Sequence, residues 1–212
     1  MKLEIASTKA IKYACMNFHY AKAVPLNPVG FSVFENSEWC GVITYSLGAN
    51  MNIAKEFNMS NGQVVELTRM ALNGKQSSTS KALALSLKLI KKKLPLCKIV
   101  VSYADKGQSH IGIIYQASNW LYLGDSNSSG VEVFANGRWM HKRQFDCIAK
   151  KPKEIQKRIK PGKYKYIYLL DKSLVSMYKA MAKPYPKNAA VAHKGECQDT
   201  NQEGTFDSIP PL

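Results

Sequence analysis

From Tyr103 to Gly124 the chain runs Tyr-Ala-Asp-Lys-Gly-Gln-Ser-His-Ile-Gly-Ile-Ile-Tyr-Gln-Ala-Ser-Asn-Trp-Leu-Tyr-Leu-Gly. A carboxylate (Asp105), an imidazole (His110), phenols, carboxamides and an indole are thus gathered between two apolar runs. Groups of these types can accept, donate and hold protons around a planar polar ligand. Asp105 stands at the end of an apolar strand, ahead of a Gly-containing turn. There it acts either on a ligand or as the cap of that turn. Tyr115 falls beside Ile111 and Ile114, as a hydrogen-bond donor or as core. Asn119 either presents its carboxamide or ends a short helix. A second group lies upstream, where Arg69 ends a strand and Ser78, Thr79 and Ser80 open the next helix. Free N–H groups and hydroxyls at a helix start, with a planar cation nearby, make an anion site; ordinary capping of the helix is the competing role. His19-Tyr20 follow the first helix and precede a Pro-bearing loop. On the residues alone they are a packed or solvent-facing pair.

The elements that must position these groups can be read from patterning. Lys2 to Ile5 alternates like a strand, and Ser7 or Thr8 caps a helix reaching about Asn17. Pro25 and Pro28 mark a loop. Val29–Glu35 and Trp39–Tyr45 read as a hairpin about Asn36-Ser37, and 48–61 as a long polar connection. Gln63–Met70 reads as a strand. Leu83, Leu87, Ile90 and Leu94 recur at helical spacing until Pro95. A strand over 98–103, one helical segment and an aromatic strand follow. Val131–Ala135 and Arg138–Met140 form a hairpin about Asn136-Gly137. Ile155 and Ile159, at i and i+4, suggest a basic helix, and Tyr164–Leu170 a last strand. This order is that of a mixed α/β layer, and a mostly antiparallel sheet opening around its fourth and fifth strands would fit it.

The chain has 212 residues and a formal net charge of +15. One domain over 1–172 is expected, with 183–212 as a flexible or extended tail. Residues 142–172 hold eleven Lys and Arg against three Asp and Glu. A positive field of this size calls for a polyanion, and nucleic acid is the commonest. Five scattered cysteines without a CxxC pair exclude a disulfide framework or zinc ribbon and point to a reducing cytosol. No run approaches the roughly 18 apolar residues of a spanning helix. A cytoplasmic protein without a membrane partner is expected.

Three stretches resemble the Mom family of bacteriophage DNA-modification proteins. They are Asn17-Phe18-His19-Tyr20, Glu66-Leu67-Thr68-Arg69 and, most specific, Tyr103–Gly124. The resemblance spans roughly residues 1–145. It implies a fold like the GCN5-related N-acetyltransferases, which splay the fourth and fifth strands to admit an acyl donor. It also implies transfer of a carbamoylmethyl (glycinamide-like) group to N6 of adenine in DNA, shielding that DNA from host restriction. Two positions depart from the pattern. Asn73–Ser80 replaces the usual Gln/Arg-x-x-Gly-x-Gly/Ala loop that cradles a donor pyrophosphate, and Ser109 stands where relatives carry Gly before His110.

The resemblance assigns roles. Asp105 is the acceptor for the amino proton, and Tyr115 the donor to the reacting or leaving group. Tyr20 and Tyr103 line the base pocket, with Tyr20 stacking on an extruded adenine. His19 is a proton shuttle, and Asn119 pairs with N6–H and N7 of the base. Ser80 joins the catalytic set. Arg69, Ser78, Thr79 and Ser80 hold the donor. Acetyl-coenzyme A is the implied donor; the missing loop keeps an aminoacyl-tRNA in view. His19, His110 and Asp105 could form a two-His-one-carboxylate set of the kind that holds iron. Lys153, Lys157 and Arg158 would track double-stranded DNA, and a homodimer is the assembly considered. Two rival functions remain: a basic nucleic-acid-binding protein with a degenerate transferase fold, and an acetyltransferase for a protein or small-molecule amine.

Overall fold

The computed structural model describes residues 1–46, 53–108, 110–126, 130–135, 137–148, 154–159 and 162–187. Part of the polar connection, Ser109, Asn136, Lys153 and the tail beyond 187 lie outside the described residues.

Strand β1 (Lys2–Ile5) leads to helix α1 (Thr8–Asn17), whose first turn is closed by the Ser7 hydroxyl accepting from Ala10 N–H. β2 (Val29–Glu35) and β3 (Glu38–Ser46) form the expected hairpin, with Asn36 and Ser37 both at positive φ. That is the backbone a two-residue hairpin loop demands. β4 (Val64–Leu72) precedes α2 (Thr79–Lys93), and β5 (Ile99–Asp105) follows it. The single turn α3 (Ile113–Gln116) leads into β6 (Leu121–Asp125). β7 (Val131–Ala135), β8 (Arg138–His141), α4 (Lys142–Asp146) and β9 (Gln156–Ile159) form a separate unit. β10 (Lys163–Leu169) then returns to the main sheet, and α5 (Val175–Met181) closes the described chain.

The main sheet has the order β1-β2-β3-β4-β5-β10-β6, and β8-β7-β9 form a second, three-stranded sheet. In the main sheet only β4 and β5 pair in parallel; the other neighbours are antiparallel. The mixed α/β fold expected from the sequence is therefore the one observed. Helix α2 buries Leu83, Leu87 and Ile90 against one face of the sheet, with Val33, Ile43, Tyr45 and Trp120. Helix α1 buries Ile11, Ala14 and Cys15 against the other face, on Val42 and Ala71. Lys91, Lys92 and Lys93 occupy the last turn of α2, where cations complement the helix dipole.

The basic helix expected at Ile155–Ile159 is instead strand β9. Ile159 is 74% exposed, so the i, i+4 spacing reflects no buried face. Pairing with β7 prevails, because Arg158 lies across from Glu132 and forms an ion pair with it at 2.7 Å. Helix α5 was not legible in advance. It turns Tyr178 onto Phe57, with ring centroids 6.0 Å apart. Beyond it, Lys183 N–H donates to Tyr122 O and the Tyr185 hydroxyl to Trp120 O, both at 2.8 Å. This segment has no regular structure, yet it lies along β6, an edge strand whose backbone would otherwise be open. No helix among the described residues is long and apolar enough to cross a membrane.

Candidate active site

The site is built on a fork. β4 and β5 pair only where Val64–Glu66 face Ile99–Val101, and then diverge. At the first residue past the pairing, a side chain replaces the missing backbone bond: the Ser102 hydroxyl donates to Leu67 O at 3.1 Å. That spends its one proton. The Tyr115 hydroxyl, 2.8 Å away, is therefore the donor to the Ser102 oxygen. Burial, partly opposed by this hydrogen bond, pushes the Tyr115 phenol up to about 12. It remains protonated at any ordinary pH.

A second local feature aims Arg69. Thr44 faces Arg69 but Tyr45 faces Leu67, so Thr68 is an extra residue in β4, a bulge. Before it, Val65 and Leu67 face α2; after it, Met70 and Leu72 pack on that side, and Ala71 turns to α1. Arg69 follows Ala71. Its guanidinium donates to Ala23 O at 3.3 Å and to Thr68 O at 2.6 Å.

The fork opens into a cavity of about 560 Å³. Of the residues expected at a site, His19, Tyr20, Arg69, Tyr103, His110 and Tyr115 line it. The His19 ring stacks on Tyr20 at 4.4 Å, and His110 meets Tyr20 edge-on at 6.0 Å. His19 Nδ1 accepts from Ala21 N–H at 3.1 Å, which leaves the proton on Nε2. Burial, reinforced by the positive charges of Arg69, His110, Lys163 and Lys22, pushes His19 down to about 4. At neutral pH it is an uncharged imidazole with one N–H to offer, and a weak proton acceptor.

Asp105 is 3% exposed and lies just behind this lining. Its Oδ1 accepts from Gly107 N–H at 2.9 Å, so the turn-capping role operates. The carboxylate also accepts from the Tyr20 hydroxyl. Burial first, then the Asp105 charge, raises the Tyr20 phenol. Tyr20 itself is 49% exposed, and it thereby connects a buried carboxylate to the cavity.

Other expected residues lie elsewhere. Ser78, Thr79 and Ser80 begin α2, on the face opposite Arg69, and do not line the cavity. The Ser78 hydroxyl caps Lys81 N–H at 3.2 Å and meets the Ser80 hydroxyl at 3.1 Å, while Thr79 accepts from Gln76. Next to them, Ser77 gives both its N–H (3.2 Å) and its hydroxyl (2.7 Å) to the Glu35 carboxylate. A side-chain anion thus occupies two donors just ahead of this helix start. Asn119 is exposed, at φ +60°, in the turn closing α3. Lys157 and Arg158 are exposed on β9. Among the described residues, no three His, Cys, Asp or Glu side chains are grouped to hold a metal ion. His19, His110 and Asp105 are not such a set, because Tyr20 contacts all three and Ala21 and Gly107 occupy His19 Nδ1 and Asp105 Oδ1.

Sequence reasoning missed Ser102, Gly112 and Lys163, and it read Glu66 as a salt-bridging residue rather than part of the site. Ser102 and Glu66 sit in strands read as core. Glu66 lines the cavity, and its charge adds to the burial that raises the Tyr103 and Tyr115 phenols. Lys163, hidden in the basic run, lines the cavity beside β5. Gly112 is at φ +80°, and a Cβ there would fall 2.5 Å from the Tyr166 ring. Only glycine lets the turn before α3 pass over Tyr166, whose hydroxyl bonds Ile111 O.

A mixed sheet forked between one parallel pair, bulged beside the fork and backed by a helix on each face, defines the class: a mixed α/β fold with a splayed sheet. Solved structures similar to it include a probable acetyltransferase from Staphylococcus epidermidis ATCC 12228, 8% identical, with a TM-score of 0.47 over 80% of this chain and 99% of that one. Another is the spermidine/spermine N-acetyltransferase SpeG from Vibrio cholerae, 10% identical, with a TM-score of 0.47 over 82% and 98%. Within this class the chain belongs to the Mom protein family, whose profile matches residues 1–187. A curated relative, the methylcarbamoylase mom of Escherichia phage Mu, is 26% identical over 208 residues, covering 88% of this chain and 84% of that protein.

Proposed function

We propose that the protein transfers a small acyl-derived group to N6 of adenine in DNA, as a phage-type modification that shields the DNA from host restriction. The observation that carries this reading is the cavity at the fork, where a stacked His19–Tyr20 pair, a protonated phenol and a carboxylate behind Tyr20 converge. Family membership supports the substrate.

The adenine amino group is a poor nucleophile, because its lone pair is delocalised into the ring. Bond formation at N6 must therefore be accompanied by loss of a proton to a nearby acceptor. Asp105 is that acceptor, reached when the extruded base takes the place of the Tyr20 hydroxyl at the carboxylate. The ring of Tyr20 stacks on the base, and His19 Nε2–H donates to a ring nitrogen. Arg69 and Lys163 bind phosphate or the polar end of the donor. As the N6–C bond forms and the acyl–S or acyl–O bond breaks, the Tyr115 hydroxyl gives its proton to the leaving atom. The donor is an activated thioester or ester: acetyl-coenzyme A bound other than through the usual cradle, or an aminoacyl-tRNA. A glycyl amide on N6 would be isomeric with a carbamoylmethyl group, and fragmentation of the intact nucleoside separates the two. Extrusion costs a few kcal/mol of stacking and pairing, which backbone contacts from Lys153, Lys157 and Arg158 offset.

The test is expression in plasmid-bearing cells, digestion of the plasmid to nucleosides and mass analysis. Wild type should yield a deoxyadenosine of raised mass, and Asp105→Asn, which still accepts from Gly107, should cut its yield roughly 100-fold or more. Unmodified adenine from a folded wild-type protein, or full yield from the variant, sinks the assignment.

A further inference from the structure

Between Ser126 and Lys163 the chain leaves the main sheet, folds β7, β8 and β9 into the small sheet, and returns. Exit and re-entry are clamped together: Ser126 N–H donates to Lys163 O at 2.7 Å, and Lys163 N–H to the Ser126 hydroxyl at 3.1 Å. Lys163 lines the cavity and faces Asp105 across the sheet. The excursion is therefore anchored at the cavity itself. One face of the small sheet is closed, with Val133, Ala135 and Met140 packed on Phe145 of α4.

The other face is open among the described residues and of a different character. Phe134 is 38% exposed, and its ring lies 5.4 Å from that of Trp139 at 61°. The Arg158 guanidinium lies 4.3 Å over the Trp139 ring. Glu132 fixes its plane, accepting from Nε at 2.8 Å and pairing with Nη2 at 2.7 Å. A guanidinium held flat on an indole, next to an exposed phenyl ring, offers planar surfaces on which bases stack. The carboxylate uses part of the guanidinium's five N–H donors and leaves its outer plane free. Residues 126–162 carry nine Lys and Arg against three Asp and Glu, a composition that suits a polyanion. Arg158 is five residues from Lys163, a reach of at most about 17 Å at ~3.4 Å per residue. At the ~3.4 Å rise of stacked nucleotides that is at most about five positions, and fewer on an extended unpaired strand.

We infer that the open face formed by Phe134, Trp139 and Arg158 stacks unpaired bases of the DNA strand carrying the modified nucleotide, a few positions from it. This rests on the DNA-modifying function proposed above, and it gives the small sheet a role that strand-backbone attraction alone would not need.

The test uses the full chain and fluorescence anisotropy with a fluorescein-labelled oligodeoxythymidylate, alongside an oligouridylate of equal length. Phe134→Ala removes no charge, so it should weaken DNA binding at least about fivefold while leaving the salt dependence of binding unchanged. Arg158→Lys keeps the charge and loses the plane; it should weaken binding as well, and it covers the case in which Phe134→Ala fails to fold. Wild-type affinity in both folded variants overturns the inference, as does a loss seen only with the oligouridylate. Nucleoside analysis of the same preparations separates the two proposals. Modified adenine from wild type, with both variants binding normally, removes only the stacking face. Weakened variants of a wild type that modifies nothing support the face as a strand-binding surface and remove the catalytic reading.

Discussion

In the fork, Ser102 and Asp105 are sealed from solvent and the buried polar groups answer one another: Tyr115 is met by Ser102, Ser102 by Leu67 O, Asp105 by Gly107 and Tyr20. In the small sheet, Phe134 and the Arg158–Trp139 stack stand on the surface, with one ion pair to fix them. Both regions use aromatic rings and charge. Burial in the first shifts proton affinities, whereas exposure in the second leaves flat surfaces for a partner. On the reading proposed here, chemistry and grip would fall to different parts of the same chain, joined at Ser126 and Lys163.

The largest effect that could break this division is Tyr115→Phe. If the phenol proton serves the leaving group, turnover should fall roughly 100-fold while DNA affinity stays at the wild-type value. Single-turnover rates and anisotropy measured together decide it; a loss of affinity instead would assign grip to the cavity. The next is Gly112→Ala. Its positive φ and the approach to Tyr166 should cost about 2 kcal/mol, read as a fall in melting temperature of roughly 6 °C. The small-sheet ring contacts should be untouched.

The smallest is a pH effect at His19. Its folded value of about 4 lies below the ordinary 6.5, so between these the unfolded chain binds more protons and stability rises with pH. The stability held above about pH 6.5 is thus lost as pH falls toward 4. His19→Gln should remove on the order of 1 kcal/mol of that loss, after allowing for solvent screening. Unfolding midpoints across this range test it, and an unchanged acid limb would show that His19 is as well solvated as any side chain on β9.

Much of this arrangement was legible in the sequence because it is local. The hairpin at Asn36-Ser37, the buried row Leu83, Leu87 and Ile90, and the polar run after β5 all follow from neighbours in the chain. Six of the expected site residues line one cavity for the same reason: they belong to short motifs at element ends. What could not be read is set by pairing over distance. The extra residue Thr68 reverses the facing of β4 and sends Arg69 away from Ser78, and no periodicity announces it. Ile155 and Ile159 fit a helical spacing, but Glu132, more than twenty positions earlier, recruits Arg158 into a strand. Ser102 looks like any small strand residue until its strand parts from the next one.

That hydroxyl ties the width of the cleft to the readiness of the acid. It is at once the last stitch between the diverging strands and the resting place of the Tyr115 proton. Were a bound donor to part β4 and β5 further, the Ser102–Leu67 bond would be the first to lengthen, and with it the partner of the phenol would shift. If Tyr115 is the acid proposed above, one hydroxyl both fastens the strands and holds its proton.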